Sequence, residues 1–405
     1  MNAIQPSRAA APQRSLFMLG AVLAAAGLAA FLAGLYGPHP QRVWQAFLVN
    51  FLLWSAMAQG AVLFSAVTHV VKARWTGPLS GLSEAFAGFF PLSFILFLIL
   101  FLGKNHVFPW LSEDLHGQEV WLNIPFLFTR DAAGLLVLYA CGFAYLSQAL
   151  KLKLDPNQPA SGLRRWIAGD PPQGASAVVR IRNRMNLWAG LYCFTFALVL
   201  SLIGFDLIMS MDPHWISTLF GAYQFVKAFY VGLGALIILA ALIYLRQGQR
   251  SGLTGNHFHD VGKLFLAFCL LWADFFYVQL NVIWYGNIPE EAHYVILRTV
   301  LPPWRGLAWT VFIACFIVPF VVLLNKRVKT MPKSMIALSA MIILGIWLEH
   351  LLLLGPALSH GAAELPLGIT DALVFAGFLG LMVSALAFTF RAFPELLPPA
   401  GQGAR

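Results

Sequence analysis

The chain has 405 residues, of which 59% are hydrophobic and only 11% charged, with a formal net charge of +9 and a mean hydropathy of +0.74. Soluble domains carry about 25% charged residues, so there are too few charges here to cover a water-facing surface. A soluble enzyme, a disordered tail and a nucleic-acid-binding domain are excluded, and the composition is that of a membrane protein.

A helix needs about 20 predominantly apolar residues to cross the hydrocarbon core, and ten such runs follow one another along the chain. The first, Leu16–Tyr36, is alanine-rich behind Arg8 and Arg14 and also fits a signal peptide; we read it as a span. The second, Val43–Val71, ends beside His69 and Lys72, which places His69 at an interface. The third, Glu84–Leu102, is bracketed by Glu84 and His106, expected as wetted ends. The fourth is Ile124–Ala149. A Pro/Gly-rich basic connection, Lys151–Asn183, leads to the fifth, Met185–Met209, and is expected to be solvated and to serve as an orientation signal. The sixth, Thr218–Tyr244, carries Lys227, and the seventh, Val261–Tyr285, carries Asp274, Tyr277 and Asn281. The last three are Trp304–Leu324, Ser334–Gly355 and Ile369–Phe390, with Glu349 and His350 near the outer end of the ninth. No connection is long enough for a separate soluble domain, so the expected fold is an all-α polytopic membrane protein.

Lysine and arginine are retained on the cytoplasmic side. Twenty of the 26 fall on one side with both termini; Arg42, Lys104, Arg130, Arg298 and Arg305 fall on the other, and Lys227 lies inside a span. The opposite side carries acids instead: Glu113, Asp114, Glu119, Asp131, Asp206, Asp212, Glu290, Glu291, Glu364 and Asp371. Both termini are therefore expected in the cytoplasm, and the basic pI follows from orientation alone. Cys141, Cys193, Cys269 and Cys315 sit singly in apolar runs with no C-x-x-C, C-x-x-C-H or Cys/His cluster, so zinc, covalent haem and iron–sulfur ligation lack a motif. A two-histidine b-type haem is not supported either, because His69 and His350 fall near opposite faces.

The outer segments after the third and seventh runs echo one another. Each passes through Asn-Ile-Pro (Asn123–Pro125, Asn287–Pro289) and reaches a single arginine, Arg130 or Arg298. Four spans separate the copies, so both point the same way. This predicts two parallel four-helix units, spans 2–5 (residues 43–209) and 6–9 (residues 218–355), flanked by spans 1 and 10.

An Asp or Lys at mid-bilayer costs about 2.5–3.5 kcal/mol, so such residues usually face the bundle and act there. Asp274, Tyr277 and Asn281 recur at helical spacing on one face, and Lys263 continues that face towards the cytoplasm across an apolar gap of about 16 Å. Lys227 and Asp274 lie at similar depth on neighbouring antiparallel spans, which predicts an ion pair, either a static packing contact or part of a proton relay. Glu349, near the outer face, is an exit candidate for protons or an interfacial carboxylate exposed to water; His350 beside it points elsewhere on the helix.

These residues resemble a known family. Gly204–Phe225 (GFDLIMSMDPHWISTLFGAYQF) is similar to a signature of the polysulfide reductase/NrfD-type membrane subunits of alternative complex III, which oxidises quinol and passes electrons to a cytochrome c or another high-potential carrier. His259–Glu291, with W-Y-x-N-I-P-E-E, is similar to its shorter ten-span subunit, ActF, as are FLILFLGKNHVFPW and WLNIPFLFTR. The likeness covers spans 2 to 9. It implies two four-helix bundles plus two peripheral helices, in a bacterial inner membrane. The implied partners are a longer NrfD-like paralogue, a periplasmic iron–sulfur subunit and multihaem cytochrome c subunits. Haem c and iron–sulfur clusters would reside in those partners, with quinol as substrate of the complex and no redox centre in this chain. The polar stripe adds a proton pathway, with Lys227, Asp274, Tyr277, Asn281, Glu349 and His350 as its members. Asp206, Asp212 and His214 would dock a periplasmic partner, or flank a quinone if this were instead the quinone-site subunit of another NrfD-type enzyme. From a different class, a secondary transporter would break helices near the midplane, where Gly232 and Gly234 are the close glycine pair; small residues also serve helix packing. A scaffold without transport is the remaining expectation.

Overall fold

The computed structural model describes residues 11–112, 115, 117–154, 162–358 and 365–398, with side chains from residue 14 on. Arg8, Glu113, Asp114, Glu364 and Arg405, which enter the charge pattern above, lie outside the described residues. Among the described residues ten helices are long and apolar enough to cross a membrane: α1 (Arg14–Leu35), α2 (Pro40–Val70), α3 (Pro78–Leu102), α4 (Ile124–Lys153), α5 (Ala175–Met211), α6 (Phe220–Ser251), α7 (Gly255–Gly286), α8 (Trp304–Leu324), α9 (Pro332–Leu358) and α10 (Ile369–Ala392). No strand occurs among the described residues. This is an all-α, multi-pass membrane protein.

Most helices outrun their apolar stretches. Hydropathy marks hydrocarbon, whereas a helix whose backbone is already satisfied can continue into water under charged side chains. Arg180, Arg182 and Arg184 thus stand on the first turns of α5, and Leu163–Ala168 forms a further short helix. The basic connection is therefore partly helical, contrary to its reading as a plain solvated loop. Similarly, α3 begins at Pro78, so Glu84 falls within a helix and is buried. It is no wetted end: its carboxylate accepts from Lys153 Nζ at 2.6 Å and from Ser65 Oγ at 2.9 Å.

Packing closes two rings. α2 meets α3, α3 meets α4, α4 meets α5, and α5 returns to α2; α6, α7, α8 and α9 close the second ring in the same way. The rings join where α2 packs on α6 and α9 and α5 packs on α6, while α1 and α10 pair with each other at the edge of α2. At the joint the backbones touch, because a Cβ on Gly232 would lie 2.3 Å from the Ala61 nitrogen and one on Gly60 2.1 Å from the Ala228 oxygen. Gly232 thus serves close helix packing, and α6 runs unbroken through it.

Prolines shape two spans. Pro91 cannot donate to the Ala87 carbonyl, which takes the Phe90 N–H instead, and α3 tightens into a 3-10 segment over Ala85–Phe89. In α8, Pro319 cannot donate to the Cys315 carbonyl four residues back; the Tyr230 hydroxyl of α6 does so at 3.1 Å. The chain there passes through a π-helical turn, Ile313–Ile317.

Candidate functional site

An ammonium inside a span needs a partner, and Lys227 has one. α6 holds it two turns below Phe220, buried, with Nζ 3.2 Å from Glu349 Oε1 of α9. The same oxygen accepts a short hydrogen bond from the Tyr223 hydroxyl, one turn away on α6. Glu349 Oε2 accepts from the Trp272 indole of α7 at 3.1 Å. Lys227 Nζ also stands 5.0 Å from the centre of the Tyr223 ring. Three helices therefore converge on one carboxylate, which is only 2% exposed.

The expected Lys227–Asp274 pair does not form. Residues two apart on an α-helix point about 200° away from each other, so with Trp272 turned to Glu349, Asp274 faces out of the bundle and is exposed. Tyr277 is 60% exposed on that side, and Asn281 is partly exposed. Lys263, at the far end of the stripe, is held by Asp260 at 2.7 Å. Depth along a span carries no information on which way a side chain points. The inward face of α7 is Phe265, Cys269 and Trp272, all buried. A tryptophan on a buried stripe asks for an acceptor for its N–H, and that is the signal in the sequence that leads to Glu349. His350 diverges from Glu349 as expected for adjacent residues: its Nδ1 lies 2.9 Å from the Ile346 carbonyl of its own helix.

Above Glu349, towards the acidic end of the molecule, lies a cavity of about 80 Å³ whose lining includes Tyr223, Trp272, Phe276, Tyr294, Phe312 and Glu349. Its rim is built by the helix Pro289–Thr299. Proline at its first position, Glu290 and Glu291 in the first turn and Arg298 in the last suit the helix ends. Tyr294 and Arg298, four residues apart, turn inward together. Tyr294 stacks on Trp215 with ring centres 3.8 Å apart, and the Arg298 guanidinium lies 3.5 Å from the Tyr294 ring centre. Arg298 also donates to the Leu353 carbonyl at 3.0 Å and pairs with Asp212 at 3.5 Å. Burial pushes the Tyr294 hydroxyl up to about 12; Arg298 opposes the shift, and Asp212 and Glu349 add to it.

The size of the cavity decides what it holds. A water takes about 30 Å³ of liquid, and a cavity that binds benzene measures about 150 Å³. Water therefore has room beside Glu349, whereas an aromatic ring requires side chains to move. Towards the basic end the same ring of helices is filled by Leu236, Ile237, Val261, Phe265, Leu338 and Ile342. The carboxylate thus opens towards the acidic end.

The three outer candidates go to different places. Asp206 is fully buried, gripped by Arg130 through Nε and an Nη at 2.6 Å each and by the Trp121 indole at 3.0 Å. Asp212 joins Arg298 in the cavity rim, and His214 lies exposed on the connection after it. Arg130 and Arg298 hold equivalent stations all the same, each reaching the outer part of the last helix in its ring, α5 or α9. The Asn-Ile-Pro segments differ: Asn123 caps the start of α4 through the Phe126 N–H, whereas Asn287 ends α7 in a left-handed conformation.

The first ring holds polar groups that the sequence reading did not single out. Gln59 Nε2 donates to the Tyr139 hydroxyl at 2.8 Å, which lies 2.7 Å from Ser93 Oγ. Six residues along α2, Ser65 Oγ bridges Glu84 and Tyr145. Serines and tyrosines on apolar helices leave no periodic mark strong enough to tell such a network from ordinary core. Among the described residues no group of three or more His, Cys, Asp or Glu is arranged to hold a metal ion. Comparison with known protein families and with curated proteins finds no match.

Proposed function

We propose that this chain is a membrane subunit of a bacterial respiratory quinol:electron-acceptor oxidoreductase of the cytochrome c type, with both termini cytoplasmic. In this reading Glu349 is its proton-exchanging group. The complex rests on the resemblance at Gly204–Phe225 and His259–Glu291, which also supplies the partners: a longer NrfD-like paralogue, a periplasmic iron–sulfur subunit and multihaem cytochrome c. The chain contributes no redox centre of its own. The observation that supports the proton role is the buried Glu349–Lys227 pair beneath a cavity with room for water. Lys227 pairs with the carboxylate, Tyr223 and Trp272 fix its orientation, and water in the cavity carries the proton to the rim at Asp212 and Arg298. Glu349 thereby exchanges protons with the outer side.

The test is the complex purified with a tagged chain and reconstituted into vesicles. Stoichiometric haem and iron–sulfur partners are expected, and Glu349→Gln should keep electron transfer while lowering the protons released per electron. A colourless chain purified alone in good yield would sink the complex and favour a transporter. Unchanged proton release in the variant would sink the role of Glu349 alone.

The aromatic lining favours one second reading, a quinone headgroup beside Glu349. It requires the cavity to roughly double in volume. Labelling of α7 or Pro289–Thr299 by a photoreactive quinone, blocked by excess quinol, would move this reading to first place.

A further inference from the structure

The Glu349 site leaves the outward stripe of α7 unexplained. Lys263 at the basic end and the exposed Trp284 at the acidic end are 21 residues apart, about 32 Å along a helix. That matches a hydrocarbon core of about 30 Å, with tryptophan at one interface and lysine at the other. Asp274 sits midway. Around it Leu270, Leu271 and Tyr277 are also exposed, so a carboxylate stands on an outward apolar surface at the depth of the bilayer centre. Each interface is about 15 Å away, beyond the reach of so short a side chain. No described ion pair or hydrogen bond of the chain engages the Asp274 carboxylate. The outward face of α5, by contrast, is apolar at Leu191, Phe194 and Leu198, as a lipid-facing helix should be.

We infer that this face of α7 is covered by a transmembrane helix of a different membrane protein, which presents a cationic or hydrogen-bond-donating side chain to Asp274. Charge complementarity decides between occupants. Lipid tails offer no donor, and headgroups lie at the interfaces. A second copy related by a two-fold axis through this face would bring carboxylate to carboxylate. A helix with one donor at mid-bilayer satisfies Asp274 and packs on Leu270, Leu271 and Tyr277. This surface stands whether or not Glu349 exchanges protons.

The experiment places a photoreactive amino acid at Leu270 or Tyr277 of the full chain in its own membranes, with the crosslinked peptide identified by mass spectrometry. The expected adduct is one transmembrane segment of another protein, with a donor side chain at the level of Asp274. Asp274→Leu touches none of the core, so Cys269 and Cys315 should stay unreactive to a thiol dye in that variant while adduct yield falls at least tenfold. Asp274→Asn, which retains an acceptor oxygen, should lower the yield less. Adducts with lipid alone, with a second copy, or with a segment lacking a donor at that level would overturn the inference, as would a yield unmoved by Asp274→Leu.

Discussion

Glu349→Gln changes one carboxylate oxygen to an amide nitrogen at nearly constant volume. In the native protein Glu349 accepts from Lys227, Tyr223 and Trp272. Glutamine has one acceptor oxygen, so its amide nitrogen must face a donor on one side. Lys227 is meanwhile left as a buried cation without a counter-charge. Removing one partner of a buried ion pair costs about 3–5 kcal/mol, and that is the expected loss. Lys227→Met leaves the carboxylate two neutral donors, and hydrogen bonds to charged groups are worth about 1.5–3 kcal/mol each. Its loss should therefore fall at the lower end, about 3 kcal/mol. The double variant carries neither charge and should be more stable than the sum of the single losses implies, by about 2–3 kcal/mol. Cys269 and Cys315 are buried in this half of the molecule, so their labelling by a thiol dye during unfolding in bicelles reads the stability directly. Single losses under about 1 kcal/mol, or additive losses in the double variant, would refute the ion pair as the centre of the site.

Three further outcomes are expected. Tyr294 is raised to about 12 from its ordinary 10.0, so the unfolded chain loses this proton first. The stability it confers is full below pH 10 and declines by about 1.4 kcal/mol per pH unit between 10 and 12. Tyr294→Phe should lack that part of the alkaline slope, and parallel curves for the two proteins would count against its burial. Gly232→Val forces apart the touching backbones of α2 and α6 and should destabilise by about 1–3 kcal/mol or more, while Gly306→Ala, with open space around it, should change little; thermal unfolding compares the two. Tyr230→Phe should cost about 1 kcal/mol, because it leaves the Cys315 carbonyl only the weak Cys269 thiol donor at 3.5 Å. Pro319→Ala returns a backbone N–H and should shrink that cost, which a double-variant cycle measures.

The number of spans and the all-α class were legible because a hydrocarbon slab admits few solutions: backbone polar groups must pair within each segment, so length and apolarity together define a span. What hydropathy could not mark was where helices stop. Arg180, Arg182 and Arg184 read as a loop because they are charged, yet they continue α5. Glu84 read as a wetted end because the apolar run begins there, yet the α3 helix starts earlier and buries it against Lys153 and Ser65. Both places have one physical reason: a polar side chain does not end a helix, so polarity in the sequence does not mark where the backbone becomes exposed.

The site was half legible for a sharper reason. Depth along a span can be counted from either end: it puts Lys227 and Asp274 well inside the membrane and Glu349 near the outer end. Azimuth cannot be counted, because in a membrane both faces of a helix can be apolar and the usual contrast between inside and outside fades. Periodicity grouped Asp274, Tyr277 and Asn281 on one face but did not say where that face points. The rule that membrane charges turn inward holds for Lys227 and Glu349, which find each other across α6 and α9. It fails for Asp274 only when the chain is considered alone. If a neighbouring helix covers α7, Asp274 also lies inside, in the interior of an assembly. The two carboxylates then obey one rule at two levels: Glu349 is satisfied when the chain folds, and Asp274 when the folded chain finds its partner.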